Sequence, residues 1–108
     1  MLFNGKTPSL NQIRYFVTVA KHLNFRRAAN ILGISQPTLT SQISALENTL
    51  GLILFERSRS GTLLSAQGKS LLEYAEAVLQ STMQFGEMAR SLAQGESTTY
   101  RLGIPPTL

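Results

Sequence analysis

Cysteine, tryptophan and aspartate are missing from the sequence, and histidine occurs once, at His22. Without cysteine there are no disulfide frameworks, thiolate zinc sites or cysteine nucleophiles, a composition compatible with a reducing cytosol. A lone histidine with no aspartate beside it offers neither a catalytic triad nor a metal cluster, and a place at a helix end suffices to explain His22. No run of eighteen apolar residues occurs, and the opening MLFNGKTPSL lacks the basic, apolar and small-residue segments of a secretory signal. No glycine run resembles a phosphate loop. The expectation is a cytoplasmic protein that is not an enzyme and carries no cofactor or metal.

Acidic charge is sparse, and unevenly so. Up to Lys69 the basic residues are Lys6, Arg14, Lys21, Arg26, Arg27, Arg57, Arg59 and Lys69 against only Glu47 and Glu56, whereas from Ser70 onward Arg90 and Arg101 face Glu73, Glu76, Glu87 and Glu96. A basic front joined to a mildly acidic rear suggests that the front meets a polyanion. Scattered solubility charge is the plainer explanation, and charge alone does not choose between them.

The chain's 108 residues suit one modest core with an extension. Ser9 with Gln12 forms a capping box for a first helix whose inward stripe is Leu10, Ile13, Phe16, Val17, Ala20 and Leu23, ending near His22. Asn24 starts a shorter helix that turns Phe25, Ala28, Ala29 and Leu32 inward and carries Arg26 and Arg27 on its exposed first turn. Gly33 ends it, and Ser35 caps a third helix with Pro37 in its first turn, where a missing N–H costs nothing. After Gly51, segments Ile53 to Glu56 and Thr62 to Leu64 are β-prone and predict a hairpin with a basic tip of Arg57, Ser58, Arg59, Ser60 and Gly61. Ser65 caps a long helix to about Gln94, with Gly95 at its stop.

That last helix is longer than so small a core needs. Leu71, Ala75, Val78, Phe85, Ala89 and Leu92 fall on a near-heptad seam interrupted by Thr82, with Leu72, Tyr74, Leu79, Met83 and Met88 beside it. An apolar face this wide asks for two neighbours, the chain's own domain and a second copy of the chain. The run YRLGIPPTL reads as a strand entering a loop of a further domain, with a short disordered C-terminus as the alternative.

In the third helix, ISQPTLTSQISALE buries Leu39, Ile43 and Leu46 on one face and shows only Gln, Thr, Ser and Pro from Gln36 to Ala45 on the other. Two helices joined by a turn as short as Gly33 and Ile34 form a helix-turn-helix. The second helix of such a unit enters the DNA major groove, where short hydroxyl and amide groups approach base edges that a lysine stem would hold off. Gln36, Pro37, Thr38, Thr40 and Ser41 are therefore base-reading candidates. Neutral groups release no counterions, so affinity falls to phosphate contacts from Arg26, Arg27, Arg57 and Arg59, with the helix starts at Asn24 and Ser35 adding backbone donors. A protein-interaction module stays open as the rival, since winged helices can bind proteins.

From about Leu10 to Gln94 the chain also resembles the N-terminal DNA-binding domain of LysR-type transcriptional regulators. NFRRAA, SQPTLTSQI, LE and LG are in place, and LLSAQG stands where that family has a Leu-Thr-x-Ala-Gly run. NFRRAA, SQPTLTSQI and LGIPPTL are similar to its peroxide-sensing branch. The resemblance implies a mainly α fold, a winged helix-turn-helix of three helices plus a two-stranded wing (residues 1–64). It further implies a linker helix (65–95) that pairs antiparallel in a homodimer, and the start of a C-terminal effector-binding domain (96–108). It also implies double-stranded DNA as partner, a nucleoid-associated location, a tetramer as a possible full-length assembly, and a small-molecule effector bound only through the C-terminal domain. Residues matching Gln36, Pro37, Thr38, Thr40 and Ser41 approach bases or backbone in that family, and wing arginines touch DNA. Two departures stand out: the usual wing arginine position is Ser60, with Arg59 next to it, and position 41, often arginine, is Ser41.

Overall fold

A computed structural model describes residues 7–98. Helices α1 (Leu10–His22), α2 (Phe25–Leu32) and α3 (Gln36–Leu50) are followed by strands β1 (Phe55–Ser58) and β2 (Gly61–Leu64) and by the long helix α4 (Ala66–Thr98).

Local chemistry sets most of these boundaries. The Ser9–Gln12 capping box opens α1 with both reciprocal bonds present, and the Asn24 side chain accepts from the Arg27 N–H at 2.9 Å to open α2. Gly33 adopts the left-handed conformation at φ 72°, and the Ile34 N–H reaches back to the Ala29 carbonyl at 3.0 Å. That backward bond lets α3 start only two residues later, because no Cβ resists the reversal. Between α1 and α2 the link is shorter still: Leu23 itself is left-handed at φ 50°, an unusual conformation for a branched residue.

The core gathers Phe16, Val17, Val19, Ala28, Ala29, Leu39, Ile43, Leu46, Leu54 and Ala75, so that α1 lies against α2, α3 and α4. Phe55, at the base of the wing, meets Phe16 and Phe25 edge-on at centroid distances of 5.7 and 5.8 Å. These contacts hold a sheet of two four-residue strands, which would not be stable in water alone.

Four expectations need correction. Leu10 and Leu23 do not belong to the buried stripe of α1, being 50% and 39% exposed; Leu10 lies at the end of the helix past the core and Leu23 sits in the turn. Arg57 and Ser58 are strand residues, not loop residues: β1 runs Phe55–Ser58 and pairs with β2 as Arg57↔Thr62 and Ser58↔Gly61, leaving Arg59 and Ser60 as the tip. Pairing, not side-chain hydrophobicity, selects strand dihedrals there, and Gly61 at φ 132° allows the tight reversal. Gly95 does not stop α4, which continues to Thr98, since a glycine lowers helix stability without forbidding it. Finally, Ala75 is 7% exposed within the chain's own core and Leu71 packs against that core, so the first part of the seam serves the domain itself. The reading of Thr99 to Leu108 as the start of another domain lies outside the described residues.

Past Leu79, α4 leaves the domain. Gly86 lies on this distal part, exposed, with nothing within 4 Å of where a Cβ would stand. Gly86→Ala is therefore expected to stabilise the distal helix by about 1 kcal/mol. Slower amide exchange around residue 86, with little change in the domain's melting temperature, is the measurement that checks it.

Candidate nucleic-acid interface

Three elements surround one polar cleft of about 280 Å³. The start of α2 contributes Asn24, Phe25 and Arg26, α3 contributes Gln36 and Thr40, and the wing contributes Arg57, Ser60, Gly61 and Thr62, with Leu23 at the margin. Around the first turn of α3 a shallower depression is lined by Gln36, Pro37, Thr40 and Ser41. The uncharged side of α3 thus stands outward between an arginine on α2 and an arginine on the wing.

Burial agrees with that orientation. Gln36, Pro37, Thr38 and Ser41 are exposed and Thr40 is half-buried, while Leu39, Ile43 and Leu46 on the opposite side are in the core. Thr38 is partly engaged, because the Ser35 hydroxyl donates to its Oγ1 at 2.8 Å while accepting the Thr38 N–H at 3.2 Å. The residue nevertheless remains exposed on the first turn. The helix is tied to α1 by the Gln12 side-chain amide, whose Nε2 donates to the side-chain Oε1 of Gln42 at 3.3 Å.

Among the basic residues, Arg26, Arg27, Arg57 and Arg59 are all exposed. Arg26 and Arg57 line the cleft; Arg27 and Arg59 do not. At the tip, Ser60 is the residue turned to the cleft, held by its contact with the Ser58 hydroxyl at 3.2 Å. Arg59 therefore does not occupy the place of Ser60. The side chains of Asn24 and Ser35 are spent on helix capping, accepting the N–H groups of Arg27 and Thr38, and since Pro37 has no N–H, the first turns keep the N–H groups of Phe25, Arg26 and Gln36 without an intrahelical acceptor. Ser60 and Thr62 were not among the contact candidates expected from the sequence; Thr62 comes to the cleft by pairing across from Arg57, a register that only the folded wing sets.

A separate apolar groove runs along α4, lined by Leu10, Tyr74, Ala77, Val78, Ser81, Thr82 and Phe85. Tyr74 is 71%, Phe85 69%, Met88 61% and Leu92 60% exposed. These residues, with Val78, recur at steps of four, seven, three and four residues, which places them on one side of the helix. Relative to the seam read from sequence, the uncovered stripe is rotated toward Tyr74 and Met88; Val78, Phe85 and Leu92 are common to both. Ala89 is exposed at its edge. Among the described residues no helix is long and apolar enough to cross a membrane, and no group of three acidic or histidine side chains could hold a metal.

Three packed helices, a tight αL turn between the second and third, and a two-stranded antiparallel wing define a winged helix-turn-helix. The profile described as "Bacterial regulatory helix-turn-helix protein, lysR family" matches residues 10–69. The chain belongs to that family and carries its DNA-binding domain. It is 43% identical over 103 residues to a probable hydrogen peroxide-inducible genes activator of Streptomyces viridosporus, covering 95% of this chain and 33% of that relative. The chain therefore spans about a third of the length of the curated relatives it matches. Among solved structures it is similar to the CbnR DNA-binding domain in complex with DNA, at 40% identity and a TM-score of 0.73 over 79% of this chain and 98% of that one. It is also similar to the BenM DNA-binding domain bound to catB site 1 DNA, at 36% identity and a TM-score of 0.77 over 81% and 98%.

Proposed function

We propose that two copies of this chain, paired through α4 in the cytoplasm, grip double-stranded DNA with one α3 in the major groove of each half-site. The observation that carries this reading is the single cleft at which an uncharged helix face, Arg26 and Arg57 converge. Gln36 suits the N6 and N7 of an adenine, while Pro37 and the methyl groups of Thr38 and Thr40 suit thymine methyls, with Ser41 at the end of the same face. Arg26 and Arg57 flank these groups and contact phosphates from either side; Arg27 and Arg59 add charge farther out. Ser41 and Ser60 replace charge by hydroxyl, so the interface leans on fewer guanidinium groups and more on the helix starts at Asn24 and Ser35.

Salt dependence separates this reading from a protein-interaction module. Log affinity for duplex DNA is expected to fall linearly with log salt, by about 0.9 for each phosphate neutralised. Arg26→Ala is expected to weaken all sequences alike and reduce that slope by roughly one contact. Gln36→Ala is expected to leave the slope unchanged and to remove about 1–3 kcal/mol of discrimination at one base pair. Selection from a random duplex pool followed by titrations at several salt concentrations checks all three. A flat salt response would favour the rival, and a Gln36→Ala chain that selects the same sequences would take α3 out of the groove.

A further inference from the structure

Glu47 is the only charged residue between Gln36 and Leu50, and it does not point into solvent as a surface glutamate would. Its Oε2 accepts the N–H of Leu54 at 2.7 Å and that of Phe55 at 3.3 Å. Those two amides lie where the chain leaves the irregular stretch after Gly51 and enters the wing. On the other side of the same stretch, the Ser65 hydroxyl, 5% exposed with its residue, donates to the Ile53 carbonyl at 2.6 Å and accepts the Gly68 N–H at 2.9 Å. The Ser65 N–H donates to the Leu54 carbonyl at 2.9 Å. Residues 53–55 are thus held by α3 from one side and by the first turn of α4 from the other.

The hydrophobic contacts of the wing do not fix its orientation with the same strictness. Phe55 packs edge-on against two rings, a contact that tolerates rotation, whereas a carboxylate receiving two adjacent N–H groups admits few poses. Glu47 also lines the small cleft between α3 and the wing together with Thr40, Glu56, Arg57 and Thr62. Glu47 and Arg57 thus border the same cleft.

We infer that Glu47 and Ser65 are positioning residues: together they clamp residues 53–55 and so hold the wing at the angle from which Arg57 meets a phosphate. This rests on the proposed role of Arg57 in DNA contact. Neither residue touches DNA itself. The clamp also makes the wing's pose depend on the first turn of α4, so the element that carries the pairing groove and the element that grips phosphate share one set of hydrogen bonds.

The test is a set of salt titrations on mixed-sequence duplex DNA with the full chain, each variant first shown by circular dichroism to keep its helix content. In the wild-type background, Arg57→Ala is expected to lower the salt slope by about 0.9. In the Glu47→Ala background the slope starts lower by that amount, and adding Arg57→Ala changes nothing further. Arg27→Ala still lowers the slope in both. Glu47→Gln, which keeps an acceptor oxygen at the same place, restores the sensitivity to Arg57→Ala, an outcome that mere loss of stability would not produce. Should Glu47→Ala fail to fold, Ser65→Ala takes its place with the same expected silence of Arg57→Ala. The clamp is overturned if Arg57→Ala costs the same slope with and without Glu47 or, where Ser65→Ala stands in, with and without the Ser65 hydroxyl. It is overturned equally if Glu47→Gln leaves Arg57 silent. A different failure, Arg57→Ala without effect in the wild-type chain, removes the wing's phosphate contact and with it the ground for the clamp.

Discussion

Val78→Glu is expected to convert the chain from dimer to monomer in sedimentation and to weaken binding to a two-half-site duplex by a factor on the order of 10²–10⁴. Val78 lies within the α4 groove, between Tyr74 and Phe85, and a two-fold interface would repeat the new carboxylate on both partners. An unpaired carboxylate in a dry apolar contact costs several kcal/mol, more than one such contact supplies. Affinity for a single half-site should change little, because α3 and the wing lie elsewhere. Met83 provides the control. It is 61% exposed but stands about 140° around the helix from Val78 at 100° per residue, away from the groove, so Met83→Glu should leave the dimer intact. If both substitutions leave sedimentation unaltered, the stripe through Tyr74, Val78 and Phe85 is not where two copies meet.

Gly68→Ala is the second large effect, and its sign is opposite to that of Gly86→Ala on the same helix. A Cβ at position 68 would lie 2.5 Å from the Leu54 carbonyl oxygen and 2.7 Å from Leu64 Cδ1. The carbonyl cannot retreat freely, since it accepts the Ser65 N–H at 2.9 Å, and Leu54 is fully buried. Overpacking of this kind costs about 1–3 kcal/mol and more when backbone is the obstacle, whereas the helix-propensity gain of alanine recovers about 1 kcal/mol. Urea denaturation of the domain should show a clear net loss. Stability equal to wild type would mean that the first turn of α4 does not sit so close to residues 53–55.

The helix-turn-helix was legible because its determinants are local. Ser9 with Gln12, Asn24 and Ser35 are capping residues whose side chains bond to amides three positions away, and Gly33 marks a turn by its own lack of Cβ. The neutral face from Gln36 to Ser41 could be separated from Leu39, Ile43 and Leu46 by helical periodicity alone. The wing was harder to place. Its strands are four residues each and take in Arg57 and Ser58, polar residues whose extended form depends on a partner strand.

By itself, the sequence determined which segments are helical, which side of α3 lies outward, and the family to which the chain belongs, since each follows from neighbours within a few positions. Only the tertiary structure decided the rest. Leu71 and Ala75 turn to the chain's own core while Tyr74, Val78 and Phe85 remain uncovered, a division that depends on where α1 crosses α4. Ser60, not Arg59, faces the cleft because a two-residue tip sets which side chain turns inward. Glu47, unremarkable in the string of letters, meets two amides seven and eight positions away, and Gly68 must be glycine for the sake of a carbonyl fourteen residues earlier. Such contacts exist only once separate elements are brought together, and neither propensity nor periodicity carries that information.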